Sequence, residues 1–151
     1  MIIKVQKNDF NLNSELKLLK SNCEEYPGAI SSFIGYVRRD KNQNSISSMT
    51  LEHYPGMTEK KLSDILKHAN EKWPLLGTLI VHRYGKLKIG DQIVLVASAS
   101  LHRKAAFESS EFIMDFLKTN APFWKSEAID KRTKWVGENE EDQKALMKWS
   151  V

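Results

Sequence analysis

Apolar positions recur along this chain with two distinct periods. Leu62, Ile65, Leu66, Ala69 and Trp73 fall at helical spacing behind Thr58, which is placed to cap the helix, and Pro74 ends the run. Ser100 or His102 opens a second long helix. Its buried stripe is Ala106, Ile113, Met114 and Leu117, and it stops before Pro122. A short helix is predicted over Ser14–Ser21. A last one starts near Asn139, and Glu140, Glu141 and Asp142 suit its first turn, where the helix dipole favours negative charge. The other period is that of strands: Ile2–Val5, Gly28–Arg38, and Ile46–Tyr54 with Ile46, Met49, Leu51 and His53. Two β-branched runs, Thr78–Tyr84 and Gln92–Ser98, are joined by GKLKIGD and read as a strand pair. After Pro122, FWKSEAI suits a strand, and Asp130-Lys131 suits a turn before Thr133–Val136. With no repeat or linker in between, residues 1–151 read as one α+β domain. It has a mostly antiparallel sheet, two long helices and a short C-terminal helix.

Composition narrows the class only a little. Hydrophobic residues at 41% and charged residues at 28% are ordinary for a soluble protein. The longest apolar stretches, such as Gln92–Ala99, are strand-sized and far short of a membrane span. The start MIIKVQKNDF lacks a signal-peptide pattern, and a lone cysteine, Cys23, fits a reducing compartment, so a cytoplasmic location is expected. Glu24 and Glu25 beside Cys23 raise a thiol pKa, which marks it as structural. The net charge of +4 needs no special explanation beyond solvated lysines. Basic-aromatic interleaving of the kind that binds nucleic acid is missing, and no membrane partner is implied. His53, His68, His82 and His102 are widely spaced, and one cysteine makes no zinc cluster, so no metal site is expected.

The candidate chemistry is cationic and lies at element ends. Arg38 and Arg39 close a strand, His102 and Arg103 open a helix, Lys118 closes it, and Lys125 follows across a Pro-containing turn. Each residue has a plain alternative: a lysine near a helix C-terminus complements the dipole without further purpose. Together they say more. Free N–H groups at the start of the second long helix form an anion site, to which Arg103 adds a bidentate donor. A reversal through Asn120-Ala121-Pro122 brings Lys118 and Lys125 toward one another, and like charges in proximity lower a lysine pKa. Phe123-Trp124 would help to dry such a pocket. If residues 102–118 form one straight helix, its ends lie roughly 24 Å apart at about 1.5 Å per residue. No small ligand touches both ends within one chain. Either there are two sites, or a second copy brings its His102 and Arg103 beside Lys118, most simply in a two-fold dimer.

Three blocks carry a resemblance: TLEHYPGMTEKKL at 50–62, the His102-Arg103 pair before a helix, and FIMDFLKTNAPFWKSE at 112–127. In order and spacing they resemble the large (catalytic) subunit family of molybdopterin synthase, from about Gly28 to Trp149. The resemblance implies an α/β hammerhead-type fold and a homodimer within a heterotetramer. It also implies a small ubiquitin-like sulfur-carrier subunit, whose C-terminal Gly-Gly thiocarboxylate enters a pocket of the large subunit. The substrate implied is cyclic pyranopterin monophosphate, which gains two sulfurs to become molybdopterin, in a sulfurtransferase reaction without a cofactor. Carried over by position, the substrate-contacting segments are Tyr36, Val37, Arg38, His102, Arg103, Lys118, Lys125, Ser126 and Glu127. Lys118 and Lys125 are the catalytic pair, and Glu127 orients Lys125. Phe33 and Met114 line the carrier-tail channel or are plain core. Two positions depart from the family pattern: Asn139, where relatives can carry arginine, and Tyr36, where a small or basic residue is expected. Two further readings stay open: a nucleic-acid-binding module, and a non-catalytic adaptor for a ubiquitin-like partner.

Overall fold

Two adjacent strands with apolar side chains on both faces organise the whole molecule. In the computed structural model, residues 1–39, 46–129, 132–136 and 140–149 are described, with side chains for 1–39, 48–125 and 140–149. Strands β4 (Leu75–Arg83) and β6 (Gln92–Ser100) pair antiparallel at the centre of a four-stranded sheet. β1 (Ile2–Gln6) lies parallel to β4 on one edge, and β2 (Ala29–Tyr36) lies antiparallel to β6 on the other. Covering on both faces explains why β4 and β6 read as near-continuous apolar runs rather than as alternating ones.

One face is covered by α2 (Met57–Lys72) and α3 (Arg103–Asn120). There Leu62, Leu66, Phe112 and Ile113 pack with Ile80, Val94 and Val96. The other face is covered by α1 (Leu12–Ser21), where Leu19 packs with Leu79, Val81, Leu95 and Ala97. Cys23 lies at this α1 layer, its thiol donating to the Leu19 carbonyl at 3.3 Å. Its pKa is raised as expected, but by burial rather than by its acidic neighbours.

A second four-stranded sheet, all antiparallel, has the order β5-β3-β7-β8. It comprises β3 (Ile46–His53), β5 (Gly85–Lys88), β7 (Phe123–Ile129) and β8 (Arg132–Val136). Val37, Met49, Leu51 and Leu87 form its inner cluster. The single sheet expected from the sequence is therefore two. GKLKIGD is more than a connection, because its first four residues form β5, bounded by Gly85 (φ 87) and Gly90 (φ 89). A short helix, α4 (Glu140–Met147), has Glu140, Glu141 and Asp142 in its first turn. Just past its end, Trp149 packs edge-on to Trp73 and Phe112 and donates its indole N–H to Asp115 at 2.6 Å. The proposed Asp130-Lys131 turn and Asn139 helix start lie outside the described residues.

Thr58 is not a cap. The N-cap is Gly56 at φ 86, whose N–H donates to Glu59 Oε2 at 2.6 Å. The helix thus begins before Thr58, which is fully buried and donates its hydroxyl to the Tyr54 carbonyl at 2.7 Å. Gly28 is demanded by a different constraint. A Cβ there would stand 2.1 Å from the Leu101 carbonyl oxygen, so only glycine lets the start of β2 lie against the chain entering α3.

Candidate active site

The site is best built from the two ends of α3. His102 is the N-cap residue, in extended conformation (φ −126, ψ 146), and its side chain makes no capping bond. The exposed His102 and Arg103 side chains therefore stand beside N–H groups that precede the helical ladder. Lys118 is exposed in the last turn of the same continuous helix. The two ends are thus roughly 24 Å apart by helical rise, and this chain does not bring them together.

Beyond Lys118 the chain reverses tightly. Ala121 caps α3 with its N–H on the Leu117 carbonyl (3.4 Å), and Phe123 N–H returns to the Ala121 carbonyl at 2.9 Å. Pro122 sits between them, and β7 begins at once. Strand alternation puts Phe123 and Lys125 on one face of β7, opposite His53 and Leu51 of β3. Leu51 belongs to the inner cluster, so Lys125 is a half-buried lysine on a core-facing side of the sheet. Trp124 points the other way and meets Tyr54 edge-on at 4.3 Å. Of the Phe123-Trp124 pair, only Phe123 lies on the Lys125 side, which corrects the expectation that both dry one pocket.

Phe123 is held between two histidines. The His82 ring from β4 stacks on it at 3.7 Å and 14°, and His53 lies 6.0 Å away, itself against Tyr84 at 4.4 Å. Proton positions follow from the partners. His82 Nδ1 lies 2.8 Å from the Arg83 carbonyl, which only accepts, so Nδ1 is the donor. The one Thr58 hydroxyl proton goes to Tyr54, so His53 Nδ1, at 3.1 Å, donates to Thr58 Oγ1. Burial pushes the His82 pKa down to about 4; the Arg83 carbonyl opposes this, while Lys118 and His53 add to it. Near neutral pH the His82 imidazole beside Lys118 is therefore uncharged. In the sequence, His82 stands out only as a possible metal ligand, and His53 as that and as a strand position. The missed signal was a polar ring inside TLIVHRY, two residues from Ile80 and so on the same α3-facing side of β4.

The remaining candidates divide. Arg38 and Tyr36 are exposed, on and just beyond the end of β2. Val37 is not available for contact through its side chain: it is buried with Met49, Leu51 and Leu87. A register shift between Gly35 and Tyr36 precedes this inward turn. Phe33 is exposed on β2, whereas Met114 is buried in the core under α3, so the plain-core reading applies to Met114 alone. Ser126 and Glu127 have backbone positions in β7 opposite Thr50 and Met49, but their side chains, with the proposed orienting contact of Glu127, lie outside those described. So does Asn139. A concavity of about 260 Å³ lined by Asn13, Leu16, Lys17, Lys20 and Ile30 belongs to the α1 layer and contains none of these candidates. Among the described residues, no group of three or more His, Cys, Asp or Glu is placed to hold a metal ion. No helix among them is long and apolar enough to cross a membrane.

Residues 5–120 match the MoaE protein family, a span that includes Lys118 and ends before Lys125. The molybdopterin synthase catalytic subunit of Ralstonia nicotianae is 48% identical over 149 residues, covering 99% of this chain and 84% of that protein. The solved structure of the molybdopterin biosynthesis MoaE protein from Burkholderia ambifaria superposes with a TM-score of 0.85 at 44% identity, covering 100% of this chain and 99% of that one. Molybdopterin synthase from Staphylococcus aureus superposes with a TM-score of 0.80 at 35% identity, covering 89% and 96% respectively. The chain belongs to the MoaE family.

Proposed function

We propose that this chain is the catalytic subunit of molybdopterin synthase, a sulfurtransferase. In this reading it converts cyclic pyranopterin monophosphate to molybdopterin with sulfur from the C-terminal thiocarboxylate of a small ubiquitin-like carrier. The observation that carries it is the tight reversal between α3 and β7, with Lys118 before it and Lys125 after it in the chain and Phe123, stacked on His82, at the start of β7. Two cations at one turn suit a reaction whose donor is an anionic thiocarboxylate and whose acceptor carries a phosphate.

In this reading Lys118 stabilises charge as sulfur attacks, exchanges a proton, or takes up the carrier acyl group as a nucleophile. Lys125 neutralises the anionic carrier terminus. The phosphate and pterin are held by Arg38 and by His102 and Arg103 of a second copy, because α3 keeps the two ends of one chain roughly 24 Å apart. The working assembly is therefore a homodimer of this chain with two carriers, its two sites each shared between copies. Exposed Phe33 is the residue offered to the carrier tail.

The test mixes purified protein with thiocarboxylated carrier and cyclic pyranopterin monophosphate and assays the dithiolene product. Lys118→Ala is expected to bind carrier normally but to lose about 10²- to 10⁴-fold in turnover, the usual scale for a positioned proton-transfer or charge-stabilising group. Wild-type protein that makes no product with a competent carrier contradicts the assignment.

A further inference from the structure

We infer that the stack of His82 on Phe123 is a pin that sets the spacing of Lys118 and Lys125, making His82 a positioning residue for the reaction proposed above. The inference rests on that reading for its chemistry, but its geometry stands separately. His82 belongs to β4 of the first sheet and Phe123 to β7 of the second, so their parallel rings at 3.7 Å and 14° join the two sheets directly. Phe123 is also the residue at which the chain leaves the reversal after α3. It stands five residues after Lys118 and two before Lys125, on the same face of β7 as Lys125. Fixing the plane of this one ring fixes where β7 starts relative to the end of α3.

The partners of His82 favour this role over plain filling. An aliphatic side chain would fill the layer beside Ile80 and Val94 without burying a polar ring. Instead a flat imidazole is oriented by Nδ1 donating to the Arg83 carbonyl at 2.8 Å, and the far side of the arrangement is closed by His53 and Tyr84. The charged or titratable groups that act on His82 are Lys118 from α3 and His53 from β3; its ladder neighbours Val5 and Val94 carry none. The ring therefore stacks in its uncharged form throughout the neutral range, and pins the turn without placing another cation next to Lys118.

The experiment uses the complex with thiocarboxylated carrier and compares wild type, His82→Ala and His82→Phe. Two readouts are taken: steady-state turnover, and the yield of a short amine-reactive cross-link between Lys118 and Lys125 mapped by mass spectrometry, which needs no catalysis. His82→Ala is expected to lower kcat about tenfold or more with KM for carrier changed less than about twofold, and to cut the cross-link yield severalfold. His82→Phe keeps a flat ring over Phe123 and is expected to recover most of both. Should His82→Ala fail to fold, Phe123→Leu loosens the same stack from the other side and is read identically. Unchanged cross-linking and turnover in the alanine variant overturns the pin, as does a phenylalanine variant no better than alanine. A wild type without turnover, whose cross-link nevertheless depends on residue 82, rejects the proposed function while leaving the pin intact.

Discussion

At its C-terminal end α3 runs straight into a tight reversal against β7, whereas the His102 and Arg103 side chains that open it stand exposed. Just past Lys118 come the capped turn at Ala121 and the Phe123 ring stacked on His82, whose imidazole feels the Lys118 charge. Around His102 and Arg103 there is the helix N-terminus, with exposed side chains and no side-chain cap. The cationic residues look alike in sequence, yet one end is held by its own chain and the other only presents charge. A site that needs both ends must borrow the second from another copy.

This contrast can be broken or sharpened by how each end responds to acid and to truncation. The largest effect belongs to His82. Its folded pKa lies below its unfolded value, so the unfolded chain binds the extra proton. The stability tied to its neutral state is fully present above about pH 6.5 and is lost as pH falls toward about 4. Over that window the loss amounts to about 3 kcal/mol, readable as a falling urea midpoint, and His82→Phe is expected to flatten it. Next comes the clamp on the middle of α3. Trp149→Ala removes ring contacts to Trp73 and Phe112 and the bond to Asp115, and is expected to cost about 1–3 kcal/mol in chemical denaturation. The smallest effect belongs to the open end. Arg103→Ala, at an exposed position, is expected to shift stability by less than about 0.5 kcal/mol while removing nearly all turnover. A large destabilisation there would mean that the N-terminal end is built within the chain after all.

The same contrast separates what was legible in the sequence from what was not. Long amphipathic segments declared themselves: Leu62 to Ala69 and Ala106 to Leu117 are buried stripes in the structure, and Pro122 does end α3. The placement of Lys118 and Lys125 on either side of a reversal followed from that proline alone. What escaped were features set by single backbone positions or by contacts distant in sequence. Gly56 at φ 86 starts α2 before Thr58, so a hydroxyl that looked like a cap is buried inside the helix. β5 is only Gly85–Lys88, too short for periodicity to register, and it pairs with β3 rather than with its neighbours in sequence. The register shift at Gly35/Tyr36 precedes the inward turn of Val37, which no alternation rule anticipates. His82 and Phe123 are 41 positions apart, and nothing local marks them as a pair.

The central claim, that each site takes Lys118 from one copy and Arg103 from the other, is tested most directly by subunit complementation. Two inactive variants, Arg103→Ala and Lys118→Ala, are given different affinity tags, mixed, and the mixed dimer is isolated and assayed with thiocarboxylated carrier. A shared site predicts one intact and one doubly defective site per mixed dimer, and so about half of wild-type turnover from two inactive parents. A mixed dimer as inactive as its parents would place both residues in a site built from a single chain and contradict the account.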